Sequence, residues 1–261
     1  MKTIGIVANV LNEIHALPGW IESAVLFADH VSVYHAGPGG AYSTDGTIEL
    51  LEKWHIPITF GSIDEGFGTV RTKTVRTSPC EFVICLDADE RFNALTTVLT
   101  CEGDSPVPDV SNQVLQEYDT PTPGVCPWNW ENAGMLMPRI KVTPLDAYNQ
   151  GAWLRDIIEK DIDAVISIRR QWRDFTMTNP SQNWRKQPDF QTRIVRNDPS
   201  IFWVNRMHES LRGAARVESP NFTHGPFFEH HHLFFKEMNP SQRKMDIETY
   251  QAIWRGEPCG R

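Results

Sequence analysis

The sequence predicts an α/β fold: a doubly wound, mostly parallel sheet flanked by helices, with a small antiparallel sheet later in the chain. Three observations predict it. Short Ile/Val-rich runs alternate with amphipathic stretches over the first ninety residues. Polar segments follow directly on those runs, where a parallel sheet presents its ligand-binding edge. Irregular, proline-bearing sequence then separates this half from a second patterned half.

The elements follow in order. Residues 4–10 form a buried first strand. Residues 16–28 carry Leu17, Trp20, Ile21, Ala24, Val25 and Ala28, an i, i+3, i+4 stripe that reads as helix. Residues 31–34 are a second strand, ending at His35 in a loop with three glycines. A helix runs from Thr44 or Asp45, either of which suits the N-cap, through Trp54. Strand 56–60, helix 68–77 and strand 81–86 complete the βαβαβαβ series. Residues 93–144 hold seven prolines and no clear period, and read as an irregular insertion or lid. Pattern returns with a helix at 145–160 and a strand at 164–168 that runs into Arg169 and Arg170. Residues 192–196 and 201–204 read as an antiparallel pair, 227–235 as a strand around three histidines, and 240–254 as a closing helix. With no repeat and no hinge-like linker, the chain reads as one domain.

Composition narrows the function. The 261 residues include 25 Lys plus Arg against 33 Asp plus Glu, a formal net charge of −8. A protein that coats nucleic acid needs a basic face, so that class is excluded. The N-terminus reads as a first strand rather than a signal peptide, and no apolar run nears the ~20 residues of a membrane span. Five cysteines, odd in number and without CxxC spacing, read as reduced thiols of a cytoplasmic protein.

The chemistry concentrates in Asp87-Ala88-Asp89-Glu90, directly after an apolar strand. Two carboxylates two residues apart at a strand end can both lean on one hard divalent ion. An anionic ligand would be repelled by Asp87, Asp89 and Glu90 unless such an ion lay between them. Further candidates are Asn12-Glu13 after strand one, Arg71 on the third helix, His208-Glu209, and the tract His230-His231-His232. In an extended run His230 and His232 share a face and His231 takes the other. Arg169, Arg170 and Arg173 with Trp172 suit either an anionic acceptor or a charged strand end. Trp128, Trp130 and Trp184 suit either sugar stacking or packing.

These motifs, in this order, resemble those of family 2 glycosyltransferases of the GT-A (Rossmann-like) fold. Asn12-Glu13, Ser43 to Thr47, Phe67 to Arg71, Leu86 to Glu90, His208-Glu209 and a late His carry the resemblance, well over residues 3–92 and loosely over 145–250. It implies a nucleotide-sugar-binding half at 1–92, an insertion or lid at 93–144 and an acceptor-side half at 145–261. The implied donor is a UDP- or GDP-sugar, met by Asn9, Asn12, Glu13, Asp45, Arg71, Asp87 and Ala88. Arg71 would meet a phosphate or brace the aspartates. The implied cofactor is Mn²⁺ or Mg²⁺, held through the D-x-D motif by Asp87 and Asp89 with His230, His231 or His232. Glu209 would be the general base of an inverting transfer to a glycan, lipid or protein hydroxyl. Two features depart from the family pattern. No carboxylate occurs from 30 to 44, where relatives place an Asp at the end of strand two, and Thr72 stands where many have Asn. Two other classes suit parts of the pattern: a non-catalytic nucleotide-sugar or glycan-binding module, and a sugar nucleotidyltransferase. The latter wants G-x-G-x-R after strand one, which residues 8–12 lack.

Overall fold

The computed structural model describes residues 1–93, 95–102, 139–171, 189–219, 226–230, 248–249, 251–253 and 255. Strands β1 (Ile4–Val10), β2 (His30–Gly37), β3 (Ile58–Ser62) and β4 (Phe82–Asp87) alternate with helices α1 (Leu17–Val25), α2 (Thr47–Lys53) and α3 (Phe67–Arg76). There follow β5 (Glu90–Arg91), β6 (Leu95–Glu102), β7 (Arg139–Asn149), α4 (Gln150–Glu159), β8 (Ala164–Gln171) and β9 (Asp189–Arg196). The later strands are β10 (Phe202–Val204), β11 (Ser210–Arg212), β12 (Val217–Glu218) and β13 (Phe227–His230). The main sheet runs β3-β2-β1-β4-β9-β8-β13-β5, with β12 beside β8. The first four are parallel, β9 runs antiparallel to β4 and β8, and β13 is parallel to β8. The predicted class holds: mostly parallel pairings, helices on both faces, and a small antiparallel sheet of β10 and β11.

Period-2 alternation sets which residue faces which helix. Ile4, Ile6 and Ala8 of β1 and Phe82, Ile84 and Leu86 of β4 pack with Leu17, Trp20 and Ile21 of α1 and Leu154, Ile157 and Ile158 of α4. Each of the Ile, Leu and Phe side chains among these that is fully buried contributes about 1.5–3 kcal/mol. The alternate residues Val7, Val83 and Cys85 pack with Val75 of α3 and Trp203 of β10. Asp87, two beyond Cys85, therefore emerges on the α3 face at the C-terminal edge.

Several expectations need correcting. Gly46, at φ 94°, caps α2 rather than Thr44 or Asp45, although Asp45 Oδ1 still accepts the Thr47 N–H at 3.0 Å. The stretch 93–144 is not irregular at its ends, since β6 and β7 pair antiparallel from Leu95–Asn149 to Glu102–Arg139. The Thr- and Val-rich run 96–100 carried that strand signal, and Pro144 is tolerated because a two-stranded sheet has only edges. The expected lid at its centre lies outside the described residues. Helix α4 starts at Gln150, not 145, because β7 occupies the residues before it. Strands β9 and β10 do not pair; β9 enters the main sheet between β4 and β8, whereas β10 joins β11. Short apolar runs do not reveal their partners. The closing helix is helical at 248–249, 251–253 and 255, where it is described. Among the described residues no helix is long and apolar enough to cross a membrane.

The β10–β11 hairpin is seated on the start of α3. The Phe67 and Gly68 N–H groups donate to Arg206 O (2.9 Å) and Asn205 O (3.0 Å), so first-turn donors of the helix are satisfied by the hairpin. Gly66 sits at φ 88°, and a Cβ on Gly68 would lie 2.6 Å from the carbonyl oxygens of Val204 and Asn205. Only glycine permits this approach. We predict that Gly68→Ala lowers unfolding free energy by about 1–3 kcal/mol in urea titrations. An unchanged midpoint would contradict the close seating of the hairpin.

Candidate functional site

The polar segments after β1 and β2 clip to one another. Asn12, at φ 54°, donates its N–H to Ser43 Oγ (2.9 Å), and its Oδ1 accepts the Thr44 N–H (2.9 Å). The Glu13 N–H donates to Thr47 Oγ1 (2.7 Å) and the Ile14 N–H to Asp45 Oδ2 (3.0 Å). Backbone donors that a turn leaves open are thereby satisfied by side chains of the other loop. Asn12 and Asp45, expected at the donor, brace loop against loop. Asn9 stands in register between Tyr34 and Asp87 at the strand ends.

Strand β2 runs past His35 to Gly37, and the His35 ring is buried. Its Nε2 accepts the Ser43 N–H at 3.1 Å and lies 2.9 Å from Ser43 Oγ. Burial holds its pKa below the ordinary histidine value. The position that lacks a carboxylate thus carries a neutral ring that ties the glycine loop to the sheet.

At the end of β4 the carboxylates are matched by arginines. Asp87 Oδ1 accepts from Arg71 Nη2 (3.1 Å) and Oδ2 from Arg193 Nη2 (2.6 Å). Glu90, with 0% of its side chain exposed, accepts Arg193 Nη2 (2.9 Å) and Arg169 Nη1 (3.3 Å) on Oε1. Its Oε2 accepts the Asp87 N–H at 3.0 Å. Burial alone would raise the Asp87 pKa, but Arg193 and then Arg71 outweigh it and hold the carboxyl well below its usual range. Arginines from α3, β8 and β9 thus interleave with Asp87 and Glu90 and offset part of the negative charge expected at this edge.

Glu209 is delivered by the seated hairpin. Asn205 (φ 72°) and His208 (φ 51°) adopt left-handed backbone in the turn, and the Trp203 N–H donates to Thr72 Oγ1 at 2.8 Å. Thr72 thus fastens β10 to α3. Glu209 Oε1 accepts from Arg71 Nε at 2.8 Å, with the side chain 20% exposed. Burial would raise its pKa, yet the Arg71 guanidinium prevails and lowers it. One guanidinium therefore joins Asp87 to Glu209.

Asp89 Oδ2 lies 3.3 Å from His230 Nε2. A carboxylate and an imidazole this close form a donor set that suits one divalent cation. Among the described residues, no group of three or more His, Cys, Asp or Glu side chains is arranged to hold a metal. His231, His232, Trp172, Arg173 and the tryptophans at 128, 130 and 184 lie outside the described residues, and Arg170 is described in its backbone only. Arg169, a candidate for an anionic acceptor, bonds Glu90 instead. Sequence reading missed Arg193 and the burial of Glu90. A signal existed: in Thr-Arg-Ile-Val-Arg, Arg193 alternates with Ile194 inside a strand covered on both faces, and a charge there requires a partner.

No known protein family matches the chain, and no curated protein does. Solved structures do show likeness. Glucosyl-3-phosphoglycerate synthase from Mycobacterium tuberculosis, in complex with Mn²⁺, UDP and glucosyl-3-phosphoglycerate, is 20% identical over 34% of this chain and 34% of its own, with a TM-score of 0.28. S. aureus TarS 1-349 in complex with UDP is 21% identical over 36% of this chain and 29% of its own, with a TM-score of 0.29. A further structure of S. aureus TarS 1-349 matches over 94% of this chain and 65% of its own, at 13% identity and a TM-score of 0.45. The chain thus covers about a third of the length of the first two.

Two predictions follow from the charge lattice. Arg193→Met strands buried Glu90 without its closest partner and should cost about 3–5 kcal/mol. Lys73→Met breaks the exposed pair with Glu65 (2.6 Å) and should cost no more than about 1 kcal/mol. Equal losses in urea titrations would contradict the lattice. The second concerns pH. Glu209 titrates lower in the folded chain than its unfolded value of about 4.3, so its contribution is complete above that value and is lost as pH falls through the native one. Glu209→Gln should therefore lose stability less steeply than wild type between about pH 5 and pH 3. Parallel acid limbs would contradict the assignment.

Proposed function

We propose that the chain is a metal-dependent glycosyltransferase of the GT-A type that moves a sugar from a UDP- or GDP-sugar to an acceptor hydroxyl with inversion. The observation that carries this reading is the convergence on Arg71. Asp87 from the acidic turn and Glu209 from a hairpin 122 residues later bond the same guanidinium at the C-terminal edge of the sheet. The six motifs that resemble the family support it from the sequence side.

In this reading Asp89 holds the ion together with one of His230, His231 and His232. The fit rests on the carboxylate and imidazole donors of Asp89 and His230, 3.3 Å apart. Mn²⁺ or Mg²⁺, when bound, supplies Lewis-acid stabilisation of the departing diphosphate. Asp87, with both oxygens held by arginines, serves the donor rather than the metal. Asn9, Glu13 and Ala88 line the strand ends beside it, while Asn12 and Asp45 hold the donor loop in shape. Arg71 lends positive charge where the diphosphate develops negative charge. Glu209 takes the proton of the acceptor hydroxyl as its oxygen attacks the anomeric carbon and the bond to the diphosphate breaks. The low pKa keeps Glu209 ionised at neutral pH, at some expense in basicity. The acceptor is a glycan, lipid or protein. The free, buried Cys80 and Cys85 suit a cytoplasmic setting.

The test is turnover of UDP- and GDP-sugars by the purified chain with Mn²⁺. Glu209→Gln should lower kcat by about 10²–10⁴-fold with donor KM little changed. Asp89→Asn should abolish metal-dependent turnover. A chain that neither binds nor turns over any nucleotide sugar with Mn²⁺ present would overturn the proposal.

A further inference from the structure

Glu90 follows Asp87 and Asp89 in the acidic turn, yet its carboxylate is sealed from solvent. Three constraints meet on it. Its Oε2 accepts the Asp87 N–H at 3.0 Å, which fixes the start of the turn. Its Oε1 accepts from Arg193 of β9 at 2.9 Å and Arg169 of β8 at 3.3 Å, which ties the turn to the sheet. Its backbone opens β5, where it stands in antiparallel register with His230 of β13. Arg193 Nη2 also reaches Asp87 Oδ2 at 2.6 Å. Asp89 therefore lies in a turn pinned on both sides, and His230 lies on the strand that β5 aligns.

We infer that Glu90 and Arg193 are positioning residues of the divalent-cation site: their buried ion pair fixes Asp89 and His230 at a separation that one ion can span. This rests on the reading above that Asp89 and His230 share a cation. Neither Glu90 nor Arg193 is offered as a ligand; they act through the turn and the strand. Glu90→Gln keeps shape and volume but turns one of the two oxygens into an amide donor, which then faces either Arg193 and Arg169 or the Asp87 N–H, all themselves donors. Arg193→Lys keeps the charge and loses the planar fork that reaches Asp87 and Glu90 together.

The experiment titrates Mn²⁺ alone into the full chain at 25 °C and follows the electron paramagnetic resonance signal of the free ion. Wild type should bind Mn²⁺ and Asp89→Asn should not. Glu90→Gln should bind about 10–100-fold more weakly, the usual effect of losing a group that orients a metal ligand, while its circular dichroism stays that of the folded chain. Ile158→Ala serves as the control for instability alone, since the Ile158 carbonyl accepts Lys2 Nζ at the far end of β1; it should keep wild-type affinity. Equal affinity of wild type and Glu90→Gln overturns the proposal, as does equal weakening by Ile158→Ala. If Glu90→Gln does not fold, Arg193→Lys is read in the same way. Absence of Asp89-dependent Mn²⁺ binding in wild type overturns instead the metal reading on which the proposal stands.

Discussion

Carboxylates gathered at one sheet edge repel, and two unit charges 4 Å apart interact by about 4 kcal/mol at an effective dielectric of about 20. The chain meets this with guanidinium groups drawn from three different elements: Arg71 from α3, Arg169 from β8 and Arg193 from β9. Asp87 touches two of them, one on each oxygen, and Glu90 touches two. The planar fork of arginine makes such sharing possible where a lysine would offer a point charge. The formal charge of −8 thus hides a local balance at the edge where ligands of such sheets bind.

The same guanidinium network explains why remote segments must be placed so closely. Arg71 reaches Glu209 only because the β10–β11 hairpin sits directly on the first turn of α3, and that contact depends on the missing side chains of Gly66 and Gly68. Thr72, one position after Arg71, accepts the Trp203 N–H from the same hairpin. Phe67, Gly68, Arg71 and Thr72 of α3 thus bond the hairpin in the second half of the chain, while Val70 and Val75 of the same helix sit in buried apolar clusters. A short helix carries both the packing and the electrostatics of the site.

Much of this was legible in the sequence. The βαβ alternation marked β1 to β4 and α1 to α3 to within a few residues, because a buried parallel strand leaves an unbroken Ile/Val run and an amphipathic helix leaves its stripe. The acidic turn and His-Glu were visible as residues. What sequence could not show was pairing: β9 joins the main sheet, not β10, and nothing in a five-residue apolar run names its neighbour. Nor could it separate the roles of adjacent acids. Asp87, Asp89 and Glu90 look alike on paper, yet one faces two arginines, one faces His230 and one is entombed. Asn12 and Asp45 looked like donor ligands, and in the structure their side chains also hold two loops together by matching turn donors at close range.

The proposed reading is that this arginine-balanced edge presents Asp89 and His230 to one divalent ion beside a bound nucleotide sugar. Crystals grown with Mn²⁺ and UDP, with anomalous data at the manganese edge, test it most directly. The account predicts one anomalous peak within coordination distance of Asp89 and of a ring nitrogen among His230, His231 and His232, with UDP beside Asp87 at the ends of β1 and β4. A peak elsewhere, or nucleotide bound away from that edge, would contradict it.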